Sequence, residues 1–107
     1  MGFVYLLCDS GQDNLFKIGV TKNDVNKRIK KLQTGNGNEI FLVKCFKTSY
    51  PYYIERMLHQ KHCPGKKIGE WFELTPSSVL DFEKDCLFFE ELADKMKDNP
   101  FFVKNLK

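Results

Sequence analysis

The sequence predicts an α+β domain: a small, mainly antiparallel sheet with flanking helices, in the order ββαβαβα. Three observations carry that prediction. Near the N-terminus, short apolar runs are separated by turn residues, as a hairpin requires. Later segments place apolar side chains at three- and four-residue intervals, the period of a helix. No repeat, linker or low-complexity tract interrupts the 107 residues, so a single core is expected.

Each element has its own signal. Phe3-Val4-Tyr5-Leu6-Leu7-Cys8 reads as the first strand, closed by Ser10-Gly11 and the polar Gln12-Asp13-Asn14. Leu15-Phe16-Lys17-Ile18-Gly19-Val20 is its hairpin partner. Residues 21–24 supply cap residues for a helix that runs to about Thr34. Val25, Ile29 and Leu32 form its apolar stripe, while Lys27, Lys30 and Lys31 lie more than about 120° from the stripe's centre and face solvent. Gly35-Asn36-Gly37-Asn38 stops this helix. It is not a phosphate loop, because no helix follows directly and no lysine completes the motif. Residues 39–48 alternate enough for a third strand. Pro51 suits the first turn of a second helix, which Pro64-Gly65 ends near Cys63. Tyr53 of that helix is expected to pack.

Glu70-Trp71-Phe72-Glu73-Leu74 reads as a short final strand, with one of Trp71 and Phe72 in the core and the other at its rim. Pro76 opens a long third helix to about Lys97, with Val79, Phe82, Cys86, Phe89 and Ala93 on one face. The Phe-rich third helix and Phe101-Phe102 are expected to pack as core and tail rather than form a dimer interface. The chain therefore divides into a core over residues 1–75 and a helix and tail, residues 76–107, packed on it or extending it.

Composition narrows the class. Hydrophobic residues make up 42% of the chain, ten of them Phe, which is enough for a core without disulfides. Cys8, Cys45, Cys63 and Cys86 show no C-x-x-C pairing and read as reduced thiols buried in a core. Residues 1–8 are apolar for only a strand's length and have no basic leader, so no signal peptide is expected. Nothing approaches the roughly 20 apolar residues of a membrane span. The protein is expected to be soluble and intracellular, in the cytoplasm or nucleus of a host. The net charge of +3 conceals a split: residues 1–67 carry +7 and residues 68–107 carry −4. A basic first part suits a polyanion.

Chemistry concentrates on the second helix. Glu55, His59 and His62 fall within roughly 60° of one another on the helical wheel. Ile54, Met57 and Leu58 occupy the neighbouring, core-facing sector. A carboxylate and imidazoles at the edge of a buried face can hold a divalent metal or move protons, which makes an enzyme the first expectation. On the first helix, Arg28 flanks the apolar stripe at about 70°. It either presents a planar fork to a phosphate or snorkels to cover core surface. Tyr50 and Tyr52, before the glutamate, and Lys22 are candidates to border a substrate.

Val4-Tyr5-Leu6, Lys17-Ile18-Gly19, Arg28 and Leu32-Gln33-Thr34-Gly35-Asn36 together resemble the GIY-YIG nuclease superfamily. They look most like its phage and large-virus branch, in which K-I-G commonly replaces Y-I-G. Ile54-Glu55 followed by Leu58-His59 resembles that branch's Glu-x-x-x-His segment, and Gly69-Glu70-Trp71-Phe72 its closing G-E-W-F strand. The resemblance implies a GIY-YIG-like fold and metal-dependent hydrolysis of phosphodiester bonds in DNA. It implies that Tyr5 accepts a proton from water or contacts phosphate, and that Arg28 stabilises charge on the scissile phosphate. Lys17, in place of the second tyrosine, would clamp phosphate, and Gly19 would permit close backbone approach. Glu55 would bind one divalent metal, Mg²⁺ or Mn²⁺, with His59 beside it as ligand, acid or positioning group. His62 has no counterpart and rests on the wheel alone. The expected partners are DNA, branched or nicked forms included, and a second copy of the chain or a recognition protein. The other readings are a nuclease-derived module that binds without cutting and a protein-interaction domain.

Overall fold

The computed structural model describes residues 1–100. Its strands are β1 (Gly2–Asp9), β2 (Leu15–Thr21), β3 (Ile40–Thr48), β4 (Lys66–Ile68) and β5 (Trp71–Glu73). Its helices are α1 (Val25–Thr34), α2 (Pro51–Lys61), α3 (Pro76–Leu80) and α4 (Phe82–Met96), with a 3₁₀ turn at Cys63–Gly65. The strands form one sheet in the order β3-β1-β2-β5-β4, antiparallel at every pairing. The α+β prediction holds, with the sheet wholly rather than mainly antiparallel.

Alternation along β1 sorts the core into two layers. Val4 and Leu6 join Ile18, Ile54, Leu58, Phe72, Phe82, Cys86 and Ala93 on the face covered by α2 and α4. Tyr5 and Leu7 join Val25 and Ile40 on the other face, with Ile29, Leu32 and Trp71 packed against them. Helices cover both faces of β1, which is why Val4 to Leu7 is an unbroken apolar run. Trp71 and Phe72 divide as expected: Phe72 is fully buried and Trp71 lies at the rim.

The element order departs from the prediction at two places. Lys66–Ile68 is a strand that the sequence does not announce, because all three side chains are exposed and no apolar alternation marks it. Gly69, at φ +57°, reverses the chain into β5. The expected single third helix is two, broken at Asp81. The Asp81 N–H closes α3 on the Ser77 carbonyl, and its own carbonyl accepts the Asp85 N–H at 2.8 Å to begin α4. Asp81 keeps a right-handed backbone (φ −85°, ψ −2°), so the apolar face continues across the break and periodicity cannot detect it. The cysteines need a correction. All four are free, but Cys86 alone is buried, Cys8 is partly covered, and Cys45 and Cys63 are exposed. The expected packing of Phe101-Phe102 lies outside the described residues.

Candidate functional site

Tyr5 lies opposite Gly19 in the β1–β2 ladder. A Cβ on Gly19 would collide with the Tyr5 phenol, so the glycine is what lets the ring lie across the neighbouring backbone. The Tyr5 ring is fully buried, and its hydroxyl accepts a hydrogen bond from Arg28 Nε at 3.4 Å. Burial raises the phenol above its ordinary pKa, and the Arg28 guanidinium opposes that shift. Arg28 itself is exposed on α1, the helix that Asp24 caps by accepting the Asn26 N–H at 2.8 Å.

From α2, Glu55 and His59 project one turn apart, because Tyr53, Ile54 and Leu58 bury the adjoining face of that helix. His59 Nε2 donates to the Ile18 carbonyl at 2.9 Å, so a neutral His59 carries its lone pair on Nδ1. Phe72 packs against the imidazole with ring centroids 4.9 Å apart. The Glu55 carboxyl is pushed up to about 7, chiefly by burial and then by the charge of Glu70, while Lys17 and Arg28 pull it down. Its Oε2 is buried without a hydrogen-bond partner among the described residues.

The sequence does not single out Glu70. Lys17 Nζ lies 3.2 Å from its Oε1, and the same ammonium sits 5.6 Å from the centre of the Trp71 ring. One donor atom from each of Glu55, His59 and Glu70 lies within 4.8 Å of the others. A single site thus gathers Tyr5, Lys17, Arg28, Glu55, His59 and Glu70 from five separate elements or turns.

Residues 2–87 match the T5orf172 domain. The chain belongs to this family. T5orf172 is a phage-associated domain of the nuclease type, a class suited to DNA. No curated protein and no solved structure matches the chain. The T5orf172 match runs from β1 into α4 and so contains every residue of the site.

Clefts lined by residues of the site open on the T5orf172 domain. One, of about 510 Å³, is lined by Glu55 and His59 and continues past Tyr52, Arg56, Gln60 and Lys66. Another, of about 430 Å³, is lined by Arg28 with Lys27 and Lys31, and a smaller one, of about 280 Å³, by Lys17 and Trp71. Lys22 Nζ stands 5.5 Å from the centre of the Tyr52 ring, which ties two of the candidate substrate residues together. His62 stands apart from the Glu55–His59–Glu70 group. It caps the C-terminus of α2, and burial together with the Lys61 charge lowers its pKa. Among the described residues, no helix is long and apolar enough to cross a membrane.

Proposed function

We propose that this T5orf172 domain is a metal-dependent endonuclease of the GIY-YIG type, hydrolysing phosphodiester bonds in DNA. One observation carries the reading. A phenol–guanidinium pair faces a carboxylate–imidazole pair in one site, and an oxygen of that carboxylate is buried with nothing to bond. Natural structures rarely leave such an atom orphaned, since the cost is about 1–3 kcal/mol. A partnerless carboxylate oxygen fits a hard dication such as Mg²⁺ or Mn²⁺. Glu55 would hold it, with His59 alongside, and the bound cation supplies Lewis-acid charge to the phosphodiester.

The chain's own groups account for the remaining chemistry. Arg28 gives Nε to Tyr5 and keeps its terminal nitrogens for a phosphate, where a guanidinium bonds two oxygens at once. That charge opposes the negative charge that grows on phosphorus during attack. Tyr5 has a raised pKa, so its phenol stays protonated near neutral pH and is a poor proton acceptor. Its oxygen accepts from Arg28 and its ring is fully buried, so Tyr5 acts on a phosphate by holding that guanidinium in place. The proton acceptor for the attacking water is then His59 Nδ1, whose lone pair the Nε2–H bond to Ile18 secures.

Supercoiled plasmid with Mg²⁺ or Mn²⁺ tests the proposal. Wild type should nick or linearise it, while Glu55→Gln, which keeps the size but loses the charge, should leave it intact and still bind DNA in Ca²⁺. Equal cutting by that variant would remove Glu55 from the reaction. Binding by the wild type without cleavage of any duplex, branched or single-stranded substrate would instead favour the non-catalytic module.

A further inference from the structure

Glu70 has no part in the reaction proposed for the site, yet its place there is fixed through Ile18. The Ile18 N–H donates to the Glu70 carbonyl at 3.2 Å, and the Ile18 carbonyl accepts from His59 Nε2 at 2.9 Å. One residue on β2 therefore holds both Glu70 and His59, and the Glu70 carboxylate meets Glu55 within the 4.8 Å spread of the group.

Two carboxylates this close repel each other unless they share a proton, as the Glu55–Glu70 hydrogen bond allows, or a positive charge lies between or beside them. The charges of Lys17 and Arg28 reach both carboxylates, but the Lys17 ammonium makes its contact with Glu70 Oε1 and leaves Glu55 Oε2 bare. The Lys17 side chain is only 12% exposed, so an ordinary ion pair would explain why Glu70 is there. It would not explain why one oxygen of the second carboxylate, Glu55 Oε2, is buried without a partner. A dication answers both, since Mg²⁺ and Mn²⁺ accept one or two protein carboxylates and leave the rest of their shell to water and phosphate.

We propose that Glu70 is a second carboxylate ligand of the divalent cation, and that the Lys17 ammonium holds its place until the cation displaces it. This rests on the metal-dependent reading above and adds a ligand and an exchange to it. Displacement leaves Lys17 beside the Trp71 face, where a cation–π contact can retain it. From there it is free to turn to a phosphate. Arrival of the cation and release of the phosphate clamp are thereby one event.

Mn²⁺ binding, read from the loss of the free-ion electron paramagnetic resonance signal, tests this without any cleavage assay. Circular dichroism confirms that each variant folds. Glu70→Gln should weaken Mn²⁺ binding by at least about tenfold, the lower end of what even an outer partner of a metal ligand costs. Glu70→Asp should recover part of that loss. Lys17→Met should bind Mn²⁺ more tightly than wild type, and Glu70→Gln should still weaken binding in the Lys17→Met background. Trp71 is the chain's single tryptophan, so Mg²⁺ should also shift its emission in wild type and not in Lys17→Met.

Wild-type affinity in Glu70→Gln, beside a loss in Glu55→Gln, overturns the second ligand and leaves the single-carboxylate reading standing. A Glu70 effect that vanishes without Lys17 makes Glu70 a mere partner of the lysine and overturns the proposal as well. Should Glu70→Gln not fold, unchanged or weaker binding in Lys17→Met overturns the exchange by itself. Wild type that takes up no Mn²⁺ removes the metal-dependent reading together with this inference.

Discussion

Glu55 keeps a charge where water would serve it better, and that has a measurable price in the metal-free protein. Its pKa of about 7 in the fold lies above the ordinary carboxyl value, so the folded state binds more protons than the unfolded chain between about 4.5 and 7. Stability with EDTA present should therefore fall as pH rises through that window. Glu55→Gln carries no charge to bury. Its Tm should match or exceed that of wild type at pH 8 in EDTA, and the gap should close toward pH 4.5. A clearly lower Tm for the variant at pH 8 would mean that the carboxylate is a stabilising group. Gly19 makes the opposite case. In Gly19→Ala the new methyl meets the buried Tyr5 ring, and overpacking of this kind costs about 1–3 kcal/mol, readable as a lower Tm and a shallower response to cation. Unchanged stability would show that the ring has room to move. Glu55, His59 and Arg28 were legible in the sequence because each stands at a helical interval from an apolar stripe. Glu70 was not. Its meaning depends on Lys17 and Ile18, and the register of β2 against β5 is set by strands distant in the chain, which no local pattern records.

Among the elements, α2 bears the site, and its hold on the sheet is apolar. Ile54 and Leu58 are fully buried against β1, β2 and α4, so the positions of Glu55 and His59 are only as firm as that packing. Leu58→Ala should cost about 2–5 kcal/mol, with cleavage and Mn²⁺ affinity falling although neither ligand is touched. If the Tm drops while both activities stay at wild-type levels, the helix is positioned by something other than this seam. The Lys61–Asp85 ion pair, 2.6 Å long, also joins α2 to α4, but pairs so near solvent contribute about 0–1 kcal/mol and cannot replace the core. Most elements could be read from turn residues, caps and periodicity, since these are local effects. The exceptions are β4, which buries nothing, and the break at Asp81, which leaves the helical phase intact.

At the scale of the whole molecule, charge is laid out along the chain: +7 over residues 1–67 and −4 over residues 68–107. The cleft beside Arg28 carries Lys27 and Lys31, both exposed and within reach of a phosphate entering it. DNA binding should weaken steeply with salt, and the double variant Lys27→Ala, Lys31→Ala should lower the log–log salt slope by about two, one for each phosphate that a lysine neutralises. An unchanged slope would move the DNA path off this cleft. The acidic α4 packs against α2 on the face of the sheet opposite α1, so a polyanion is turned toward the Arg28 cleft and away from that helix. The sheet order has a consequence in time. β5 hydrogen-bonds to β2 across all the chain that lies between them, and it is this late pairing that brings Glu70 to Ile18 and backs His59 with Phe72. A nascent chain on the ribosome can close its first hairpin and wind α1 and α2 before the group around Glu55 exists. Only when β5 has been made and has slid in beside β2 is that group assembled.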